Sequence, residues 1–130
     1  MATYKSDKAS DSAPARYLHA GDVTEFATYT TSAVASSGDV VQMVKVDPGA
    51  RVVSLVVKSD DTLAYAVGDG IDPNRYFATA SVAAGTNNIA MVNLGYEYSA
   101  ADTIDIAVGT GSALTAQTFQ AIVTVAYDGD

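Results

Sequence analysis

The sequence predicts an all-β fold, and three observations support this. Apolar and polar residues alternate along several short runs, which is typical of strands with one face in a core. Turn-forming residues separate these runs at intervals of roughly 8–12 residues. No segment carries the apolar period of an α-helix of any length. Together these features predict one antiparallel sandwich or barrel domain in a chain of 130 residues.

The first twenty residues differ from the rest of the chain. They are rich in Ala, Ser, Lys and Asp, contain Pro14 and show no sustained apolar period. This composition is typical of terminal segments that lie outside a packed core. We therefore predict an extended N-terminal arm over residues 1–20 and a β-sandwich domain over residues 21–130. We also expect the sandwich to fold without the arm.

The first four predicted strands lie near 22–31, 39–46, 51–58 and 62–68. The second and third, "DVVQMVKV" and "RVVSLVVK", carry Val on both faces, as strands in the middle of a sheet do. Between them, "DPGA" has Pro and Gly at the positions that a type II turn prefers. The fourth, "TLAYAV", follows the turn formers "SDD" and places Leu63, Tyr65 and Val67 on one side.

The last four predicted strands lie near 76–82, 88–94, 103–108 and 117–127. The segments "AAGTNN" and "GTGSA" supply turn residues before the second and after the third of these. Along "TIDIAV" and "QTFQAIVTVAY" the alternate residues on one side form a largely apolar face. The predicted core residues of these two runs are Ile104, Ile106, Phe119, Val123 and Val125.

Eight antiparallel strands fit two architectures. A jelly roll folds two Greek keys into two four-stranded sheets, whereas an up-and-down barrel closes one sheet on itself. Periodicity does not distinguish them. The Val-rich second and third strands favour the sandwich, in which central strands are buried. We therefore predict an eight-stranded antiparallel jelly-roll β-sandwich.

Charge is distributed unevenly along the chain. It has 7 basic and 15 acidic residues, a net charge of −8, and no Lys or Arg after Arg75. Binding to a phosphate backbone requires clustered cations, so nucleic acid is a poor partner. No apolar stretch approaches the ~20 residues that span a bilayer, and the N-terminus lacks the apolar region of a signal peptide. We expect a protein that is made in the cytoplasm and does not contact a membrane.

The sequence lacks the residue patterns of an enzyme. It has no Cys, its only His is His19 in the arm, and its only glutamates are Glu25 and Glu97. A nucleophile would need a positioned base, and a glycosidase would need a pair of carboxylates. The stretch "GTGSAL" lacks the Gly of a nucleophile elbow, and no Gly-Lys-Ser/Thr of a phosphate loop occurs. We expect no enzymatic activity and no cofactor.

The stretch "AYAVGDGIDPNRYFATA" at residues 64–80 contains a cluster of polar residues. Asp69, Asp72 and Asn74 offer oxygen ligands that a calcium ion would accept. However, the alternate spacing and the closing Glu of a calcium loop are missing, and Arg75 would repel a cation and can pair with Asp72. Asp-Gly and Asp-Pro-Asn form turns in many contexts. We predict a loop with internal hydrogen bonds and no metal site.

Tyrosines form two further groups. Tyr96 and Tyr98 could form an aromatic platform for a sugar, but tyrosines that cap the rim of a core are the better interpretation. In the polar arm, Tyr4 and Tyr17 are either exposed by chance or dock on a partner, since tyrosine is enriched at interfaces. Cations are in excess there as well. The candidate binding residues are Tyr4, Lys5, Lys8, Arg16 and Tyr17.

Four stretches carry a resemblance to a known family. "AGDVTEF", "SGDVVQMVKVDPGARVVSLVVKSDD", "AVGDGIDPNRYF" and "LGYEYSAADTIDIAVGTG" resemble small capsid decoration, or cement, proteins of the jelly-roll type. Such proteins are encoded near the major capsid gene of tailed bacteriophages. The likeness runs from about Gly21 to Tyr127 and does not include the arm.

The resemblance implies a mechanical function in the virion. It implies a symmetric homodimer or homotrimer that binds the major capsid protein on the outer surface of the head, after synthesis in the host cytoplasm. The arm would contact a capsid subunit or a neighbouring copy. The alternatives are a fibre-like adhesin for host glycan, a head–tail connector or tail component, and a small hydrolase. The absence of Trp argues against the adhesin.

Overall fold

A computed structural model gives the fold of the chain and describes residues 3–6, 21–34, 38–109 and 116–127. These residues form strands, turns and extended segments, with no helix among them. In particular, the described residues contain no helix that could cross a membrane. The strands are β1 (Thr3–Lys5), β2 (Gly21–Val34), β3 (Val40–Val46), β4 (Ala50–Ser59), β5 (Leu63–Gly68), β6 (Phe77–Val82), β7 (Asp102–Val108) and β8 (Ala116–Tyr127).

The strands form two sheets. A five-stranded sheet has the order β1-β3-β7-β5-β6, and a three-stranded sheet has the order β2-β8-β4. Every pair of neighbours is antiparallel except β1 and β3, which are parallel. The predicted all-β class is confirmed, but the strands divide as five and three rather than four and four.

The jelly-roll topology becomes clear from the chain between β6 and β7. This part, residues 83–101, is called the crossing segment below. Asn88 exchanges two backbone hydrogen bonds with Val57 of β4, at 2.8 and 3.2 Å, and the Tyr98 amide donates to the Ala50 carbonyl at 2.9 Å. The crossing segment therefore follows the free edge of β4 and takes the fourth position of the smaller sheet. With β1 set aside, two four-membered layers result, as a jelly roll requires.

The strand predicted at 88–94 is wrong. Within residues 88–94 only Asn88 forms a β-bridge to β4, and the chain then leaves this edge before the Gly95 amide returns to the Val52 carbonyl at 2.8 Å. Asn93 and Gly95 have φ of 57° and 95°, in the left-handed region that breaks a strand. The apolar residues between Asn88 and Gly95 are mostly exposed. Their apolar pattern therefore did not reflect a strand packed on the core.

Strand β1 was not predicted, because three residues are too few to show a period. Thr3–Lys5 pair in parallel with β3, and the Ser6 amide donates to the Gln42 carbonyl at 2.9 Å. The Ser6 hydroxyl also bonds to the Met43 carbonyl. Residues 3–6 thus belong to the sheet, so one strand lies within the predicted arm. That the sandwich folds without the arm stays a prediction. The arm boundary at residue 20 stays a prediction.

The core lies between the inner faces of the two sheets. All five predicted core residues are buried there, so this prediction is confirmed. Two further large aromatic side chains, Tyr65 and Tyr76, are fully buried with them. Val residues of β3 and β4 are buried with them. Of the two Val-rich runs predicted as central strands, β3 lies inside its sheet, whereas β4 is at the edge of the three-stranded sheet. The core residues foreseen from sequence are Ile104, Ile106, Phe119, Val123 and Val125.

Replacing Ile106 with Asp is expected to unfold the domain. Ile106 is fully buried on β7 between β3 and β5, so the variant would bury a carboxylate without a partner. Ile122→Asp is the matched control, because Ile122 faces solvent from the centre of β8. Thermal unfolding followed by circular dichroism should show a cooperative transition for the control only. Retention of the wild-type melting temperature by Ile106→Asp would show that the strand faces are assigned wrongly.

Candidate functional site

The polar loop after β5 is built around the side chain of Asp69. Its carboxylate accepts hydrogen bonds from the backbone amides of Ile71, at 3.0 Å, and Asp72, at 2.8 Å. Gly68 allows the tight return of the chain, because a Cβ there would lie 2.2 Å from the Asp72 carbonyl oxygen. The loop is therefore held by its own hydrogen bonds, as predicted.

Arg75 closes this loop by pairing with Asp69. Its Nε lies 2.5 Å from Asp69 Oδ2, and its Nη2 lies 3.4 Å from Oδ1. The expected pair of Arg75 with Asp72 is therefore wrong. Asp72 instead accepts a bond from the Asn74 amide at 3.3 Å and remains partly exposed. Asp69 is the better partner because its side chain is fully buried, where an unpaired carboxylate would be costly.

Two tyrosines extend the network to the crossing segment. The Tyr98 hydroxyl donates to Asp69 Oδ2 at 2.9 Å, and the hydroxyls of Tyr76 and Tyr98 lie 2.6 Å apart. The Arg75 guanidinium lies 3.6 Å from the centre of the Tyr96 ring, which meets Tyr98 edge-on at 5.1 Å. These five residues, here called the Asp69 cluster, join the loop after β5 to the segment that covers β4.

Burial and hydrogen bonding shift the pKa values of several side chains in the cluster. Burial alone would raise the pKa of Asp69, but hydrogen bonds from Arg75, the Asp72 amide, Tyr98 and the Ile71 amide outweigh it, so this pKa is lowered. Burial raises the pKa of Tyr76 to about 12 and that of Tyr98 further. At neutral pH Asp69 and Arg75 therefore form an ionised pair, and the buried hydroxyls of Tyr76 and Tyr98 are neutral.

The Asp69 cluster stabilises the fold and does not offer a reactive group. Five donors engage the Asp69 carboxylate, which leaves it poorly placed to ligate a cation. Within the described ranges, no three His, Cys, Asp or Glu side chains are grouped closely enough to hold a metal. Tyr98 is buried and Tyr96 lies at the rim, which agrees with tyrosines that cap the core.

A second buried carboxylate lies on the outer side of the five-stranded sheet. Asp105 is only 5% exposed and accepts a hydrogen bond from Thr103 Oγ1 at 2.6 Å. It lies opposite Gln42 of β3, whose Oε1 is buried without a hydrogen-bond partner. The pKa of Asp105 is raised to about 7. Burial raises it most, the bond from Thr103 lowers it, and the charges of Asp102 and Asp69 raise it.

The outer side of β2 and β8 presents a surface of threonine and apolar side chains, here called the threonine face. Across β2 and β8, two pairs of threonine hydroxyls hydrogen-bond to each other, at 3.0 and 2.8 Å. Between these pairs Phe26 lies opposite Ile122. They are 53% and 39% exposed. The described residues of this face on β2 and β8 include Thr24, Phe26, Thr28, Thr30, Thr118, Ile122 and Thr124.

Residues 89–94, here called the apolar loop, form a second exposed surface. Ile89 is 74% exposed, Val92 57% and Leu94 42%. Met91 alone turns inward and packs against the core. Ile71, in the neighbouring loop after β5, is 76% exposed. Sequence reasoning missed this surface because it assigned the same residues to a strand. The sequence did carry one signal: an uncharged run that begins after Asn87 and Asn88 and ends at Gly95.

The structure describes two of the five candidate binding residues. Tyr4 is half-buried and packs against Tyr29 of β2, with ring centres 5.8 Å apart. Lys5 is exposed on the edge strand β1. The structure therefore gives Tyr4 a packing role within the chain, whereas Lys5 is open to a partner. Lys8, Arg16 and Tyr17 lie outside the described residues.

Comparisons with known proteins identify similar structures but no sequence family. No family model matches the chain, and no curated protein matches it. In the capsid of Ralstonia phage GP4, one chain aligns with a TM-score of 0.73 at 17% identity, over 98% of this chain and 99% of that chain. The chain shares its fold with chains of phage capsids.

Two further capsid structures contain the same fold. In the capsid asymmetric unit of cyanophage Pam1, a chain aligns with a TM-score of 0.70 at 20% identity, over 90% of this chain and 92% of that one. In the acidic stable capsid of Helicobacter pylori bacteriophage KHP30, the TM-score is 0.59 at 14% identity, over 83% and 90%. The jelly-roll prediction is thus supported by solved structures as well as by topology.

Replacing Asp69 with Asn is expected to lower the free energy of unfolding by about 2–4 kcal/mol, because Arg75 would lose its buried ionic partner. Asp72→Asn is the matched control and should change it by less than about 0.5 kcal/mol. The pKa of Asp69 is lowered in the folded state, so its stabilisation is complete above about pH 4 and is lost as the pH falls further. Urea unfolding at several pH values should therefore show wild type and Asp69→Asn converging in acid.

Replacing Asp105 with Asn is expected to remove a pH-dependent loss of stability. The raised pKa of Asp105 means that the folded state keeps a proton that the unfolded state has lost between about pH 4 and 7. Wild-type stability therefore falls across this window, by up to about 4 kcal/mol at 1.36 kcal/mol per pKa unit. The stability of Asp105→Asn relative to wild type should rise from pH 4 to pH 7 and then stay level. A difference that does not vary with pH would contradict the assignment.

Proposed function

We propose that this protein is a capsid decoration protein. In this proposal it binds the major capsid protein on the outer surface of a phage head as a symmetric oligomer. By doing so it stabilises the assembled shell. It acts in the virion after synthesis in the host cytoplasm, without catalysis and without a cofactor.

The observation that carries the proposal is the end-to-end likeness to a chain of the Ralstonia phage GP4 capsid. Because 98% of this chain aligns with 99% of that chain, the two have nearly the same length. The match therefore extends over nearly the whole of both chains. A chain of this size within a capsid supports the resemblance found in the sequence.

The physical basis of such a function is an interface that exists only in the closed lattice. A copy that contacts two shell subunits adds buried area that separated subunits cannot form. Many equivalent sites act together, and an oligomer that bridges subunits gains from effective concentration. Binding to the assembled form stabilises it by mass action. Modest affinity at each site is sufficient for this function.

The arm is the proposed electrostatic contact. Lys5, Lys8 and Arg16 are three of the seven basic residues in a chain of net charge −8. A cationic segment on an acidic body can bind an acidic neighbour, either a capsid subunit or another copy. Tyr4 and Tyr17 would add apolar area. Since residues 3–6 belong to the sheet, substitution tests this contact more cleanly than deletion of the arm.

The test is binding to heads that have been stripped of the protein. Lys8→Gln with Arg16→Gln should weaken co-sedimentation several-fold and make it less sensitive to salt, since exposed charge pairs are screened within about 10 Å at ~0.1 M salt. Lys45→Gln with Lys58→Gln removes the same charge from the body and serves as the control, which should bind within about twofold of wild type. Heads that carry wild-type protein should also survive heating to a higher temperature than stripped heads.

The outcomes separate the function from its proposed contact. If wild-type protein neither sediments with stripped heads nor protects them from heat, the decoration function is rejected. If wild type binds and the arm variant binds equally well at every salt concentration, the function stands and the contact lies on the folded body.

A further inference from the structure

We infer that the apolar loop, residues 89–94, is a docking surface for an apolar patch on the capsid shell. This inference rests on the proposed function and names the part of the folded body that meets the shell. It does not depend on the arm.

The composition of the apolar loop is unusual for a solvent-facing loop. Ile89, Ala90 and Val92 are exposed within four consecutive apolar residues, and residues 86–96 contain no charged side chain. Runs of exposed apolar residues reduce solubility and are retained where they have a function. The core accounts for Met91 alone, which packs against it. Ile89, Val92 and Leu94 have no such role in the fold.

The loop is fixed in place. The Val92 amide donates to the Tyr76 carbonyl at 2.8 Å, and Asn93 Nδ2 donates to the Arg75 carbonyl at 2.9 Å. At its two ends, Asn88 and Gly95 are hydrogen-bonded to β4. A surface held in this way loses little conformational entropy when it binds a partner, which favours binding.

The bonds from Val92 and Asn93 also join the apolar loop to the end of the loop after β5, which carries the exposed Ile71. Ile71 belongs to the loop that ends at Arg75, which is the residue that accepts the Asn93 bond and covers the Tyr96 ring. Ile71, Ile89, Val92 and Leu94 expose apolar side chains on these two joined loops. Arg75 also pairs with Asp69, so the Asp69 cluster holds the loop to which the apolar loop is bonded.

The shell is a better occupant than a second copy. A stable pair of proteins buries about 800 Å² on each partner, whereas a patch of a few side chains provides only a few hundred Å². On a shell, the same small patch is repeated at many sites and acts together with other contacts, so a weak individual contact is sufficient.

The threonine face provides the matched control. Ile89→Thr with Val92→Thr removes two exposed apolar side chains from the loop, and Phe26→Thr with Ile122→Thr removes two from the threonine face. Both pairs are exposed, so both variants should keep the wild-type fold, which circular dichroism melting verifies. Binding to stripped heads is measured by co-sedimentation, and the oligomeric state without heads by analytical ultracentrifugation.

The loop variant should bind stripped heads roughly tenfold or more weakly than wild type, because apolar contact area is lost. The control variant should bind within about twofold, and neither should change its oligomeric state. Equal binding of the loop variant and wild type would overturn the inference while leaving the decoration function intact. So would a loss confined to the threonine-face variant, or a loop variant that only dissociates the oligomer. Failure of wild type to bind heads would reject the decoration function itself.

Discussion

The hydrogen bonds on the Asp69 carboxylate are the constraint on which the rest of the structure depends. One buried side chain orients the loop after β5 through two backbone amides, pairs with Arg75 and accepts a bond from Tyr98 of the crossing segment. The crossing segment has few regular hydrogen bonds of its own. The Asp69 cluster adds side-chain bonds to the backbone bonds by which the crossing segment covers the free edge of β4.

Two segments of the chain cover sheet edges that would otherwise be unpaired. The crossing segment covers β4 at only a few positions, while β1 covers β3 by a short parallel pairing. Both leave the protein without a long, flat edge strand at these positions, which limits unwanted pairing with other chains. Because this cover is irregular, the chain leaves β4 between Asn88 and Gly95. The apolar loop lies in this interval and is held at both ends.

Periodicity predicted the class of the fold and the inward faces of β7 and β8, because regular strands in a two-layer sandwich bury every second residue. It failed at residues 88–94, where a left-handed Asn93 and contacts from Tyr76 and Arg75 outweigh the strand-like pattern. β1 is too short to carry a period. Turn chemistry predicted the loop around Asp69 but not the Arg75 partner, since burial of Asp69 depends on Tyr98, which lies 29 residues away.

Amide hydrogen exchange measured by NMR tests most directly whether the crossing segment is fixed on β4 as an irregular eighth member of the jelly roll. The amides of Asn88, Gly95 and Tyr98, which donate to β4, should exchange slowly. So should the Val92 amide, which donates to Tyr76, whereas the Ile89 amide between them should exchange quickly. Fast exchange at all of these positions, or continuous protection from 88 to 94, would contradict the account.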